Sequence, residues 1–171
     1  MSLFPENVNF LSTVRYIKSG RSIGSFVNFN LALHVNDKTD SVLENRSILK
    51  DYYELPSEPV WINQTHSSIC IDASLTERVI EADASFTLNP GTVCSILTAD
   101  CLPVFVSKKD GTMVGVAHAG WKGLISGVIE NLIEAFGCSG EELVVHLGPA
   151  ISKNFFEVGV EIKDLYLSKN I

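Results

Sequence analysis

Two histidines and a cysteine, far apart in the chain, have the types and surroundings of metal ligands. They are His66 in Gln64-Thr65-His66, Cys101 in Thr98-Ala99-Asp100-Cys101, and His118 in Ala117-His118-Ala119-Gly120-Trp121. Imidazole nitrogen and thiolate sulfur both bind zinc. Structural zinc takes four protein ligands, whereas catalytic zinc takes three and keeps a position for water or substrate. A His₂Cys set fits the catalytic pattern, in which zinc activates water near neutral pH or polarises a bound oxygen. The same residues allow a metal-free alternative, Cys101 as a thiolate nucleophile with His118 as its base. Copper is the lesser alternative. His₂Cys electron-transfer copper needs an axial Met, and Met113, the only internal methionine, is five strand steps from His118 and so on the opposite face.

His34 and His146 are the remaining imidazoles, and either one as a fourth ligand would close the site. His34 reads as a polar pocket residue, His146 as a structural residue alternating within an apolar strand. Asp100, Asp83, Glu81 and Gln64 are candidates for placing water or protons. Asp100 joins Cys101 and His118 in the candidate catalytic set because it adjoins Cys101. Adjacent strand residues point to opposite faces, so a plain hydrogen-bond acceptor is the competing role for Asp100.

Positioning these side chains requires a hairpin. Val104-Phe105-Val106 and Met113-Val114-Gly115-Val116 are β-prone runs separated by Ser107-Lys108-Lys109-Asp110-Gly111-Thr112. A loop of Lys108 to Gly111 sets Cys101 directly opposite His118, within bridging distance of one ion, and is the register expected. A two-residue loop at Asp110-Gly111 pairs Pro103 with His118 instead. Val60 to His66 reads as a strand with Val60, Ile62, Gln64 and His66 on one face, ending at the polar tip.

Elsewhere, Phe10 to Ile17 reads as a strand, Ser19 to Ser25 as a polar loop, and Asn28 to Val35 as extended chain. A helix is expected over Thr39 to Tyr53, capped by Asp37, Thr39 or Ser41. Asn89-Pro90-Gly91 is a turn into a strand from Thr92 to Leu97. Trp121, Leu124, Ile125, Val128, Ile129, Leu132, Ile133 and Phe136 recur at helical spacing and stop at Gly137, a C-cap residue. Leu143 to Leu147 is a last short strand. Strands and helices mix without strict βαβ alternation, which gives an α+β class, mixed β-sheets flanked by helices.

A 171-residue chain with 46% hydrophobic residues suits one domain with a real core. Its net charge of −7 argues against a nucleic-acid groove, which needs clustered Lys and Arg. The N-terminus lacks the basic start and apolar run of a signal peptide, and no stretch reaches a membrane span. A cytoplasmic protein is expected, with Cys70, Cys94, Cys101 and Cys138 reduced.

The chain resembles the YfiH/laccase-domain family, also called peptidoglycan editing factor or polyphenol oxidase. The matching segments are Phe29-Asn30-Leu31-Ala32-Leu33-His34-Val35, Asn45-Arg46, Trp61 to His66, Ala82-Asp83-Ala84 and Pro90-Gly91. They continue through Leu97 to Val104, Val116 to Gly123, Leu147-Gly148-Pro149-Ala150-Ile151 and Phe156-Glu157-Val158-Gly159. The resemblance implies a single domain over residues 1–171, with the YfiH-like, cysteine-hydrolase-like fold named for a bacterial toxin and this family. It implies zinc at His66, Cys101 and His118. The implied activities are phosphorolysis of adenosine, inosine and methylthioadenosine, and adenosine deamination, so the partners are a purine nucleoside and phosphate. Editing of a cytoplasmic peptidoglycan precursor by an amidase reaction is the alternative, followed by copper-dependent phenol oxidation and by a structural zinc domain without turnover. His34, Arg46, Gln64 and Lys122 are the expected substrate-binding residues, with Arg21 a further candidate for phosphate. Family members continue past Phe156-Glu157-Val158-Gly159 into further elements, so the chain is expected to be C-terminally incomplete relative to the family. The loop Gly20 to Ser25 departs from the family's paired-glycine form.

Overall fold

A computed structural model describes residues 8–11, 14–16, 29–75 and 79–169, the first two segments by backbone alone. Its centre is a five-stranded mixed sheet in the order β3-β4-β6-β5-β7, with β3 Cys70–Asp72, β4 Ala84–Thr87, β5 Leu102–Lys108, β6 Val114–Ala119 and β7 Leu143–Leu147. Only β3 and β4 pair in parallel. The α+β architecture is as expected.

The hairpin takes the second of the two registers. Pro103, not Cys101, lies opposite His118, and Leu102 opposite Ala119. The reason is the turn: Lys108 N donates to Met113 O at 2.9 Å, and Asp110 Oδ1 accepts from the Thr112 backbone and hydroxyl at 3.0 and 2.7 Å. This side-chain turn fixes a loop of residues 109–112. Cys101 consequently stands just before β5 begins, a diagonal step from His118.

The long helical pattern is two helices, α2 Trp121–Ser126 and α3 Val128–Phe136, because Gly127 takes φ 90° and ends the first. Such a backbone suits glycine and breaks the α-helical ladder. Gly137, at φ 58°, ends α3 as anticipated. Val128, Leu132 and Phe136, four residues apart, form the buried stripe of α3 and pack with Val104, Val106, Met113 and Ala117 of the sheet.

α1 spans Thr39–Tyr52, but its N-cap is Lys38 and no side chain caps it. Asp37 accepts instead from Lys38 N and the Asn30 amide, each within 3.0 Å. Val42, Arg46 and Leu49 are the buried face of this helix.

Several expected strands are irregular. Residues 29–35 hold turns, with Phe29 at φ 62°. Val60 to His66 and Thr92 to Leu97 make only isolated bridges, Val60 with Cys94 and Asn63 with Glu81. Side chains supply the missing ladder: Gln64 donates to Leu97 O and accepts from Leu97 N, both at 2.7 Å, as a strand residue would. The single strand expected over Phe10 to Ile17 is a separate two-stranded ladder, β1 Val8–Leu11 with β2 Val14–Tyr16. The loop Ser19 to Ser25, with Arg21, lies outside the described residues.

β3 and β4 are too short to carry a sequence signal, and the last helix, α4 Val160–Ser168, is not anticipated from sequence because it has no buried apolar stripe. α4 buries no residue, yet Tyr166 Oη donates to Trp121 O at 3.2 Å and ties it to the start of α2.

Candidate metal centre

His118 occupies the penultimate position of β6, 4% exposed, next to the Ala119-Gly120 step into α2. Cys101 precedes β5 on the neighbouring strand, half-buried. His66 is exposed and comes from an irregular segment beside β4. One ligand atom from each lies within 4.8 Å of the others, and Cys101 Sγ stands 3.9 Å from His66 Nε2. The His66 and His118 rings meet edge to face, centroids 4.8 Å apart.

Tetrahedral zinc bonded to nitrogen and sulfur at 2.0–2.3 Å separates its ligand atoms by roughly 3.3–3.6 Å. The observed group is somewhat wider than that, with Cys101 Sγ and His66 Nε2 at 3.9 Å and all three ligand atoms within 4.8 Å. The cradle is shaped for it, since a Cβ at Gly120 would stand 2.8 Å from His66 Cδ2 and 3.0 Å from Cys101 Sγ. Only a residue without a side chain leaves both ligands where they are. The donor set and its clearance fit a metal ion.

Asp83, fully buried, is the electrostatic centre behind the ligands. Its Oδ1 accepts from His118 Nδ1 at 2.8 Å and from His66 N at 3.0 Å. Its Oδ2 accepts from Thr65 N at 3.1 Å, Ser67 N at 2.6 Å and Ser67 Oγ at 2.8 Å. Burial pushes this carboxyl up, but the hydrogen bonds from His118, Ser67 and Thr65 outweigh it and hold it below the usual carboxylate range. Burial, then the charges of Asp100 and Asp83, push the Cys101 thiol up. A metal-free Cys101 is therefore a neutral thiol and a weak nucleophile at pH 7, whereas a bound cation would reverse that bias.

The other candidates are dispersed. Asp100 is exposed, and its carbonyl accepts from Ile151 N at 2.9 Å. Lys122 is exposed near the site, its Nζ 5.4 Å from the Trp121 ring centroid. Arg46 is buried, gives Nε and one terminal nitrogen to Leu31 O at 2.9 and 2.8 Å, and stacks 3.9 Å over Trp61. Gln64 is occupied with Leu97. His34 is exposed in a turn before α1, and His146 lies in β7 opposite Phe105. Glu81 is exposed at the bridge to Asn63. Met113 is buried in the core cluster beneath α3. Sequence reasoning missed Gly120 and the Thr65–Ser67 backbone. The signal for the first was a glycine two residues after a candidate ligand.

Fold and site together define an α+β protein with a His₂Cys metal-ligand group open to solvent on the His66 side. The chain belongs to the family described as multi-copper polyphenol oxidoreductase laccase, whose family model matches residues 11–170. A Pseudomonas aeruginosa relative, described as a purine nucleoside phosphorylase, is 42% identical over 164 residues, covering 96% of this chain and 66% of its own. The purine nucleoside phosphorylase YfiH of Escherichia coli is 39% identical over 165 residues, 96% of this chain and 67% of its own. The crystal structure of a Neisseria meningitidis protein superposes with a TM-score of 0.86 at 35% identity, covering 98% of this chain and 71% of that one. The chain spans about two thirds of the length of the curated relatives it matches. No helix among the described residues is long and apolar enough to cross a membrane.

Proposed function

We propose that this chain carries the metal centre of a purine nucleoside phosphorylase of the laccase-domain family, with zinc held by His66, Cys101 and His118. The observation that carries this reading is the convergence of those three ligands in front of the buried Asp83. Relatives described as purine nucleoside phosphorylases name the substrate class. Zinc supplies a Lewis acid at the open face, for polarising an oxygen or activating water.

The chain's own residues then have distinct tasks. His118, held through Nδ1, presents Nε2 to the site, and Cys101 contributes a sulfur whose charge the cation stabilises. Lys122, exposed beside the centre, donates through Nζ to phosphate oxygens. Asp100, exposed and adjacent to Cys101, is the carboxylate assigned to accept hydrogen bonds from the nucleoside or from water at the site. His34 is assigned to the pocket rim, while Arg46 and Gln64 act on substrate indirectly, by holding the segments Leu31 and Leu97 through their backbones. Phosphorolysis of adenosine, inosine and methylthioadenosine, and deamination of adenosine, are the reactions proposed, in a single cytoplasmic domain over residues 1–171.

The family's description favours a second reading, copper oxidation of phenols. Among the described residues there is one three-ligand group, and the chain has four histidines in all, too few for several coppers. Chromatography of products from zinc-loaded protein with adenosine, with and without phosphate, tests the proposal. Phosphate-dependent adenine, or inosine without phosphate, lost in His118→Ala, is the expected result. Zinc-loaded protein that yields neither product overturns it.

A further inference from the structure

Asp83 does more than lie near the ligands. Five donors converge on its two oxygens, and all of them come from the segment of residues 65–67 or from His118. The backbone of Asp83 is committed as well, its carbonyl accepting from His118 N at 2.7 Å and its N–H donating to Ile69 O at 3.0 Å. The carboxylate therefore cannot turn away from either ligand. A carboxylate is the one small side chain that accepts at both ends and donates at neither.

Two consequences reach the metal ligands separately. At His118, an acceptor at 2.8 Å from Nδ1 requires that nitrogen to carry the proton, which leaves the Nε2 lone pair for a metal. At His66 the backbone sits at φ 60°, a left-handed conformation that disfavours residues with a Cβ. The N–H groups of Thr65, His66 and Ser67 all point to the same carboxylate there, which compensates that conformation as an anion-binding turn does.

We infer that Asp83 is the positioning residue of this centre: one buried carboxylate sets the Nδ1–H tautomer of His118 and the left-handed backbone of His66, so both imidazole ligands are arranged before any metal arrives. The inference rests on the metal reading proposed above, yet its first half is a property of the metal-free protein. Asn in place of Asp83 puts an amide N–H₂ on one of the two oxygen positions. On the Oδ1 side it would face His118 Nδ1 and force the opposite tautomer, with Nε2 protonated and useless to a metal. On the Oδ2 side it would face two backbone N–H groups and displace the turn that carries His66.

The test is long-range ¹H–¹⁵N NMR of the imidazoles in the metal-free full chain at about pH 8.5, well above the ordinary imidazole value. It is paired with zinc titration in competition with a chromophoric chelator. Wild type is expected to show His118 as the Nδ1–H tautomer alone. Asp83→Asn is expected to lose that uniformity and to bind zinc about 10–100-fold more weakly. Ser67→Ala removes one donor to Oδ2 without touching His118, and should keep the tautomer and most of the affinity. An Nε2–H tautomer in wild type overturns the inference even when Asp83→Asn does not fold. So does an Asp83→Asn protein with the wild-type tautomer and wild-type zinc affinity. Wild type that shows the fixed tautomer but takes up no zinc overturns the metal reading alone, and leaves the hold of Asp83 on His118 supported.

Discussion

Gly120→Ala adds one methyl group at the point where the two exposed-side ligands meet. Gly120 has φ −70° and ψ 161°, a conformation open to any residue, so the backbone accepts alanine without strain. The conflict is local. The new Cβ would stand 2.8 Å from His66 Cδ2 and 3.0 Å from Cys101 Sγ, where ordinary contact begins at 3.4 Å. The imidazole must retreat by roughly 0.6 Å and the sulfur by roughly 0.4 Å, against a tolerance in metal–ligand distance of about 0.2 Å. Zinc affinity should fall about 10–100-fold, equivalent to about 1.4–2.7 kcal/mol. The stability of the metal-free protein should fall by only about 0.5–1 kcal/mol, the cost of alanine at an N-cap. Chelator competition reads the first quantity and urea unfolding of the metal-free protein the second. Wild-type zinc affinity in Gly120→Ala would refute the argument, because the ligands would then not need the space this glycine leaves.

Two further outcomes test the packing and the buried thiols. Leu132 is fully buried in α3 against the sheet, so Leu132→Ala should cost about 2–5 kcal/mol in urea unfolding while zinc affinity stays within about twofold; a cost below about 1 kcal/mol would contradict the core described. Burial pushes Cys94 up to about 12 and Cys70 up to about 11, from an ordinary 9.0. A raised folded-state value means that the unfolded chain loses these protons first. The stability they contribute is whole below about pH 9 and is lost as pH rises through the folded values. Near pH 10.5 the loss from Cys94 is about 2 kcal/mol, so unfolding of Cys94→Ala should fall less steeply between about pH 8 and 10.5 than that of wild type. Parallel pH profiles for the two proteins would contradict the burial of that thiol.

The parts of the fold that were legible in sequence are those with a periodic signal of several turns or a strong punctuation mark. The stripe of α3 and its stop at Gly137 follow from spacing and one glycine. β5, β6 and the turn between them follow from two apolar runs around Asp110-Gly111. The break at Gly127 was hidden because the apolar spacing continues through it, and only the φ of 90° ends the hydrogen-bond ladder. β3 and β4, three and four residues long, are defined by their neighbours rather than by composition.

What the sequence determined by itself was the chemistry of the ligands: His66, Cys101 and His118 are suitable donors wherever they stand, because affinity for a metal belongs to the side chain. Their meeting was decided by tertiary structure. The turn at residues 109–112 chose a register two residues away from the one expected, which placed Cys101 before the strand instead of opposite His118. Asp83 shows the same division. In sequence it is one of several acidic residues beside small neighbours, and nothing local separates it from Asp100 or Glu81. Burial between β4 and the segment of residues 65–67 surrounds it with five donors and makes it a fixed charge behind the site. Hydrogen bonds across 16 to 35 residues of chain are three-dimensional facts, which no spacing along the sequence encodes.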